Sequence, residues 1–385
     1  MKVEQIATIM NGVTGEILGE DAIAETDLTK ILDKGKTALG SVDVENYTRK
    51  LIDHVGRVLF VDRPYSGRAP SLLMESWQFG SVLEKITSDI PDAEDNPTWG
   101  LVDGATYNQD VFTAPDVNAK FYNSKRTLQT KLSLVDRQVY SAFDGVEQVN
   151  ALLSMLQNYA ETSLTVKADA VIMETICGMI GETLANAVMN NAYSSSAGNC
   201  RAVNLLKQYN DKFSETLTAA AAVTDPDFIK YASYVISLTI DRMQAMSRLF
   251  NIGGHARFTP GDRMKAVFLS DFYRAAGVYL ESGVFHNELL KLPKAETVPF
   301  WQGSGTSYAF GDVSKVYVKT PGNAQVQISG VLGVVFDAES CILGNMRRYT
   351  TTHYNANGEF LNNWFKWEVS PFIDLNENFV VFYAA

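Results

Sequence analysis

Between Val146 and Met189 the apolar residues recur at helical spacing: Val146, Val149, Leu153, Leu156, Ala160 and Leu164, then Ile172, Ile176, Met179, Ile180, Leu184 and Val188. No proline interrupts them, so the spacing predicts one continuous helix, about 65 Å long at about 1.5 Å per residue. Asp144 and Glu147 are spaced to form a capping box at its start. Gly178 and Gly181 are points where it can bend. A helix of that length outreaches a single compact core and reads as a spine. A second helix is predicted from Asp225-Pro226, an N-cap followed by proline at the first helical position. Its apolar side carries Ile229, Ala232, Ile236, Ile240, Met243 and Phe250, and Gly253-Gly254 marks its end.

After Gly254 the pattern turns to strands. A strand ends at Leu269, a helix covers Asp271 to Glu281, and further strands fall at Val313–Val318, Gln325–Ile328, Val331–Phe336, Ser340–Leu343 and Asn378–Tyr383. Residues 347–369, "RRYTTTHYNANGEFLNNWFKWEV", read as a β-hairpin in which Asn357-Gly358 suits a type I′ turn with φ > 0 at both central positions. Strand alternation puts Phe360 and Trp364 on one face and Phe365, Trp367 and Val369 on the other. Both faces are aromatic, so each needs a cover.

Residues 1–65 read as an arm, with a helix near Val44–Val58 and a break at Pro64, Gly67 and Pro70. Residues 66–138 hold two strand-like runs, "LLMESWQFGSVLEKIT" and "AKFYNSKRTLQTKLSLVDRQVYSAF", around an irregular tip with three prolines. This excursion is too thin to build a core of its own. Its charges separate: Asp89, Asp92, Glu94, Asp95, Asp103, Asp110 and Asp116 occur with no Lys or Arg among them, whereas Lys120, Lys125, Arg126, Lys131 and Arg137 follow with the single acid Asp136. That pattern fits either a solvated loop beside a solvated strand or a surface built to meet a complementary one on another copy.

The chain has 385 residues, is 46% hydrophobic and carries a formal charge of −11. An acidic balance argues against gripping nucleic acid through a basic surface, though not against enclosing it. Cys177, Cys200 and Cys341 are odd in number and far apart, so no disulfide framework is expected. No run of about 18 apolar residues is present and the N-terminus lacks a signal-peptide pattern, so neither a membrane span nor secretion is expected. His54, His255, His286 and His353 stand apart, without HxH, HExxH or CxxC, and no metal site is expected. Phosphate-binding glycine motifs and a GxSxG elbow are missing too. No catalytic residue or cofactor is therefore proposed from sequence.

The order of parts, together with the stretches "QVNALLSMLQNYAETSLTVKADAVIMETICGMI" and "GVVFDAESCILGNMRRYTTTHYNANGEFLNNWFKWEVSPFIDLNENFVVFYA", resembles the major capsid proteins of tailed bacteriophages, and among these the short-tailed phages of the phi-twenty-nine type. The resemblance implies an α+β chain with the Hong Kong 97-type capsid fold. It would comprise an N-arm (1–65), an extended E-loop (66–138), a P-domain spine helix (139–195), an A-domain (196–339) and return strands of the P-domain (340–385). It also implies a non-enzymatic subunit that assembles with itself into pentamers and hexamers. The icosahedral shell would enclose double-stranded DNA in the virion, after synthesis in the host bacterial cytoplasm. With the chain opening at Met1 and no long coiled segment near it, a separate scaffolding protein is implied, along with a portal and no membrane. The resemblance supplies no motif for a covalent Lys–Asn cross-link and no appended immunoglobulin-like module. Expected inter-subunit contacts are Phe360, Trp364, Phe365 and Trp367 of the hairpin, Lys125 and Arg126 of the basic strand, and Asp92, Glu94 and Asp95 of the acidic tip. Two other readings are an encapsulin-like compartment shell and an enzyme with a β-rich lid, the latter without a motif to support it.

Overall fold

The computed structural model describes residues 3–18, 37–38, 46–51, 69–72, 83–88, 93, 95–96, 99–106, 110, 114, 117–142, 146–282, 295–302, 307–319 and 325–385. The chain falls into two units. One comprises Met1–Gln78, Lys125–Met173 and Leu343–Pro371, the other Phe79–Ser124, Glu174–Ile342 and Phe372–Ala385. The described strands, in chain order, are β1 (Leu83–Ser88), β2 (Val117–Tyr122), β3 (Arg126–Val135), β4 (Ala202–Asn204), β5 (Met264–Leu269), β6 (Glu296–Val298), β7 (Val316–Lys319), β8 (Gln325–Ile328), β9 (Val331–Asp337), β10 (Cys341–Asn355), β11 (Phe360–Ile373) and β12 (Phe379–Tyr383).

In the first unit β10, β11 and β3 form a three-stranded sheet with β11 in the centre. Along β11 burial alternates with period two, as strand geometry requires: Leu361, Asn363, Phe365, Trp367 and Val369 are buried and the residues between them half-buried. β3 runs antiparallel to β11 and adds Leu128, Thr130 and Leu134 to the buried face. Elsewhere in this unit the Val3–Leu18 helix buries Ile9 and Val13, and the helical stretch at 46–51 buries Tyr47 and Leu51.

The hairpin turn differs from the one predicted. Residues 356–359 form a four-residue connection, with the positive φ at Glu359 (47°) rather than at Asn357 and Gly358. The Asn355 side chain decides this, because its Oδ1 accepts the N–H groups of Asn357 and Gly358, each at 3.1 Å. An Asx turn displaces the two-residue turn that Asn-Gly favours.

The second strand-like run also divides. β2 stops at Tyr122, residues 123–125 carry no regular structure, and β3 begins at Arg126. β2 pairs with β1, whereas β3 belongs to the hairpin sheet. Among the described residues the two-stranded excursion is therefore β1 and β2.

The long helix runs unbroken over Val146–Met189, the bounds its apolar period predicts; Asp144 lies outside the described residues. Within its 154–189 portion an 18-residue window is apolar enough, by composition, to cross a membrane, with mean hydropathy 1.3. That apolarity goes into packing: Leu156, Ala160, Leu164, Ala168, Ile172, Ile176, Ile180 and Leu184 are all buried. Gly178 serves close approach, since a Cβ there would stand 3.1 Å from Ile373 Cδ1.

The second unit holds a five-stranded sheet in the order β4-β12-β9-β5-β6. β12 is parallel to β4 and antiparallel to β9, and β5 is antiparallel to β9 and parallel to β6. The central strands β9 and β12 are buried at every residue, which is why they read as unbroken apolar runs. Helices Leu205–Phe213, Pro226–Gln244 and Ser270–Ser282 contribute to one core with the sheet, through Leu206, Phe228, Ile236 and Phe272 against Phe268, Val335, Val380 and Phe382. Each fully buried ring of this kind contributes about 1.5–3 kcal/mol. Gly333 leaves space for the Phe268 ring, which an added Cβ would meet at 2.0 Å. The Asp225 cap is as predicted, accepting the Phe228 N–H at 2.8 Å, but the helix ends at Gln244 instead of reaching Gly253. There the chain turns back, and Ser247 bridges Arg257.

Candidate functional site

β1 and β2 form an antiparallel ribbon in which Lys85 faces Lys120, Ile86 faces Ala119 and Glu84 faces Phe121. Alternation gives the ribbon two unlike faces. Lys85, Lys120 and Tyr122 share one, and it is anchored to its own unit. Lys85 Nζ lies 2.8 Å from Asp374, 2.7 Å from Glu377 and 3.1 Å from Glu339, Lys120 Nζ lies 3.2 Å from Asp374, and the Tyr122 ring packs 4.7 Å from Phe372. Arg263 bridges Asp337 and Glu339 behind them.

Burial alone would lower the Lys85 ammonium, but its hydrogen bonds to Asp374 and Glu377 outweigh that and hold it well above the ordinary lysine range. Burial likewise opposes ionisation of Asp374, yet Lys85, the Asn376 N–H and Lys120 hold its carboxyl below the usual value. Glu339 is depressed in the same way, with Lys85 and Arg263 overcoming its burial. A cleft of about 250 Å³ beside the cluster is lined by Lys85, Thr87, Lys120, His255, Asp374 and Asn376 among others.

The other ribbon face sets large exposed apolar side chains beside Glu84 and Ser88: Ile86 is 64% exposed, Val117 53% and Phe121 62%. Beyond the ribbon, Trp99, Leu101 and Val102 of the tip are exposed as well. Large apolar side chains gathered this way on a thin element mark a contact surface.

The hairpin sheet also has two unlike faces. Its buried face includes Trp367, whose Nε1 donates to Asn345 Oδ1 at 2.8 Å and whose ring lies 4.2 Å under the Arg348 guanidinium. Its other face sets cations over rings, Lys131 over Trp364 at 5.7 Å and Lys366 (5.6 Å) and Arg347 (4.7 Å) over Tyr349, with the Glu368 carboxylate also against Tyr349.

The expected contact residues divide accordingly. Phe365 and Trp367 are buried within the chain, while Phe360 and Trp364 lie half-buried on the opposite face. Lys125 is exposed at the β2–β3 junction, and Arg126 opens β3 opposite Val369. Asp95 is exposed, as are Asp103 and Asp110, whereas Asp92 and Glu94 lie outside the described residues. Lys120 departs from the separated charge pattern, being bound to Asp374. Sequence reasoning missed the Lys85 anchor and the bare ribbon face. The alternation of "LEKITS" and "VNAKFY" puts Lys85 and Lys120 on one face and Ile86, Val117 and Phe121 on the other, but nothing in it names the distant carboxylates that hold the lysines.

Among the described residues no group of three His, Cys, Asp or Glu is placed to hold a metal ion. Burial pushes the thiols of Cys177 and Cys341 up to about 12, so neither is a nucleophile near neutral pH.

Residues 6–383 match the family model described as Phi29-like phage major capsid protein. No curated protein matches the sequence significantly. Among solved structures the chain is similar to one in the capsid of Staphylococcus phage Andhra, at 11% identity and TM-score 0.48, over 84% of this chain and 86% of that one. It is also similar to a chain of native bacteriophage P68, from a structure of its head fiber and inner core protein, at 11% identity and TM-score 0.45, over 85% of this chain and 86% of that one. The family match spans nearly the whole sequence and favours a phage shell over an encapsulin-like compartment. The chain belongs to the Phi29-like phage major capsid protein family, and it is a structural subunit of a phage capsid shell rather than an enzyme.

Proposed function

We propose that the subunit assembles into pentamers and hexamers of an icosahedral shell around packaged double-stranded DNA. It would be made in the host cytoplasm and guided by a separate scaffolding protein, with a portal completing the shell. In this reading the β1–β2 ribbon and its tip are the E-loop, Val146–Met189 is the P-domain spine, and the residues around the five-stranded sheet are the A-domain. One observation carries the proposal: the ribbon is fixed to its own unit by ions on one face and presents Ile86, Val117 and Phe121 bare on the other. A side chain of that kind loses about 1.5–3 kcal/mol of burial when left in water, and a second copy supplies the cover. The acidic balance suits a lining that must not hold DNA fast during filling and release.

The test is light scattering on the purified protein with and without scaffolding protein, followed by negative-stain microscopy. Closed particles or capsomers are expected. A monomer that stays monomeric with scaffold present overturns the reading.

A further inference from the structure

Asn11-Gly12 and Asn357-Gly358 are the two Asn-Gly pairs in the chain. Glycine has no Cβ to shield its own nitrogen, so an asparagine followed by glycine presents its side-chain amide to the next backbone nitrogen with little hindrance. The first pair lies inside the Val3–Leu18 helix, where the ladder of hydrogen bonds engages backbone nitrogens. The second lies in the turn between β10 and β11, and both of its residues are exposed.

That turn is tied at its ends. The Tyr354 hydroxyl donates to Asp136 Oδ2 at 2.8 Å, and the Glu359 carbonyl accepts the Asp136 N–H at 3.0 Å. Between these ties, Asn355 Oδ1 accepts the N–H groups of Asn357 and Gly358. Packing dictates the glycine, because a Cβ at 358 would run into the Phe360 ring. The fold therefore requires the very residue that makes Asn357 reactive, and it rests the attacking nitrogen on the Asn355 side chain.

We infer that Asn357 is a site of spontaneous deamidation and that Asn355 sets its rate. The Gly358 nitrogen leaves Asn355 Oδ1, gives up its proton and attacks Asn357 Cγ. The N–Cγ bond forms, the Cγ–Nδ2 bond breaks, and Nδ2 departs with the proton as ammonia, leaving a five-membered succinimide. Water then opens the ring at either carbonyl, to aspartate or to isoaspartate, and nothing is oxidised or reduced. Each event adds a negative charge to the turn. The isoaspartyl product also routes the main chain through the side-chain methylene, which lengthens the link between β10 and β11. Asn355 is a positioning residue here: it holds the nitrogen away from its target until that hydrogen bond opens.

The test is peptide mapping by mass spectrometry on the purified full chain, aged in mildly alkaline buffer either folded or in urea. In folded protein aspartate and isoaspartate should accumulate at 357 and not at 11, whereas in urea both pairs should react. Asn355→Ala frees the nitrogen and should raise the folded rate at 357 about three- to tenfold, the factor that one lost hydrogen bond supports, with no change in urea. Asn355→Asp keeps an acceptor in place and should react at the wild-type rate. Folded protein that keeps Asn357 intact while its urea-unfolded form deamidates there overturns the site. Equal folded rates for wild type and Asn355→Ala, with unchanged melting, overturn the role of Asn355. If Asn355→Ala fails to fold, amide exchange at Gly358 of the wild type decides: a protected N–H supports the grip, and exchange at the unfolded-chain rate overturns it.

Discussion

Lys85→Met removes the cation at the centre of the ribbon anchor while keeping a stem of similar length. In the native chain the ammonium lies within 3.1 Å of three carboxylates, and its side chain is only 15% exposed. A hydrogen bond to a charged group is worth about 1.5–3 kcal/mol, and stripping one partner from a buried ion pair costs about 3–5 kcal/mol. Glu339 is 40% exposed and rehydrates readily, and Lys120 still reaches Asp374. The expected loss is therefore near the lower figures, about 2–3 kcal/mol. At roughly 2–4 °C per kcal/mol for a unit of this size, melting of the unassembled subunit should fall by about 4–12 °C. Amide exchange in β1 and β2 should accelerate more than exchange in β9 and β12, because the ribbon opens first. A double-mutant cycle with Asp374→Asn should show a coupling energy above about 1 kcal/mol. A Lys85→Met subunit with wild-type melting, unchanged ribbon exchange and no coupling would refute the anchor.

The same cluster sets a pH window. Asp374 and Glu339 are held below their ordinary values of 3.8 and 4.5, so their contribution is complete above about pH 5 and is lost as pH falls through those values and below. Lys85 is raised, so its contribution is complete below 10.5 and lost as pH climbs beyond it; urea melts from pH 2 to 7 should show an acid loss that Lys85→Met diminishes. Gly333→Ala places a methyl inside the Phe268 ring position and should cost about 1–3 kcal/mol or more by overpacking, measured by denaturant unfolding. Phe365→Ala should cost about 3–5 kcal/mol in the isolated subunit, because the ring is fully buried. Trp364→Ala, on the half-buried face, should leave subunit melting nearly unchanged and lower particle yield; the reverse pattern would exchange the roles of the two faces.

The long helix and the hairpin were legible because each imposes one period over many residues. Val146–Met189 keeps its 3.6-residue stripe for 44 residues, and β11 keeps its two-residue alternation from Leu361 to Val369. Local punctuation was less reliable. Asn357-Gly358 favours a two-residue turn, but the neighbouring Asn355 side chain captured both N–H groups. The apolar pattern of the Asp225-capped helix continues to Phe250, although the backbone leaves the helix at Ala245; Phe250 is still buried, from the turn that follows. The ribbon anchor was beyond reach because its partners lie 289 and 292 residues apart. Ion pairing at that separation leaves no periodic trace.

Cryo-electron microscopy of particles assembled from the purified chain with its scaffolding protein tests the central claim most directly. The account predicts closed shells in which a second copy covers Ile86, Val117 and Phe121 while Lys85 remains seated on Asp374 and Glu377 of its own chain. Protein that stays monomeric under assembly conditions, or shells in which that ribbon face remains open to solvent, would contradict it.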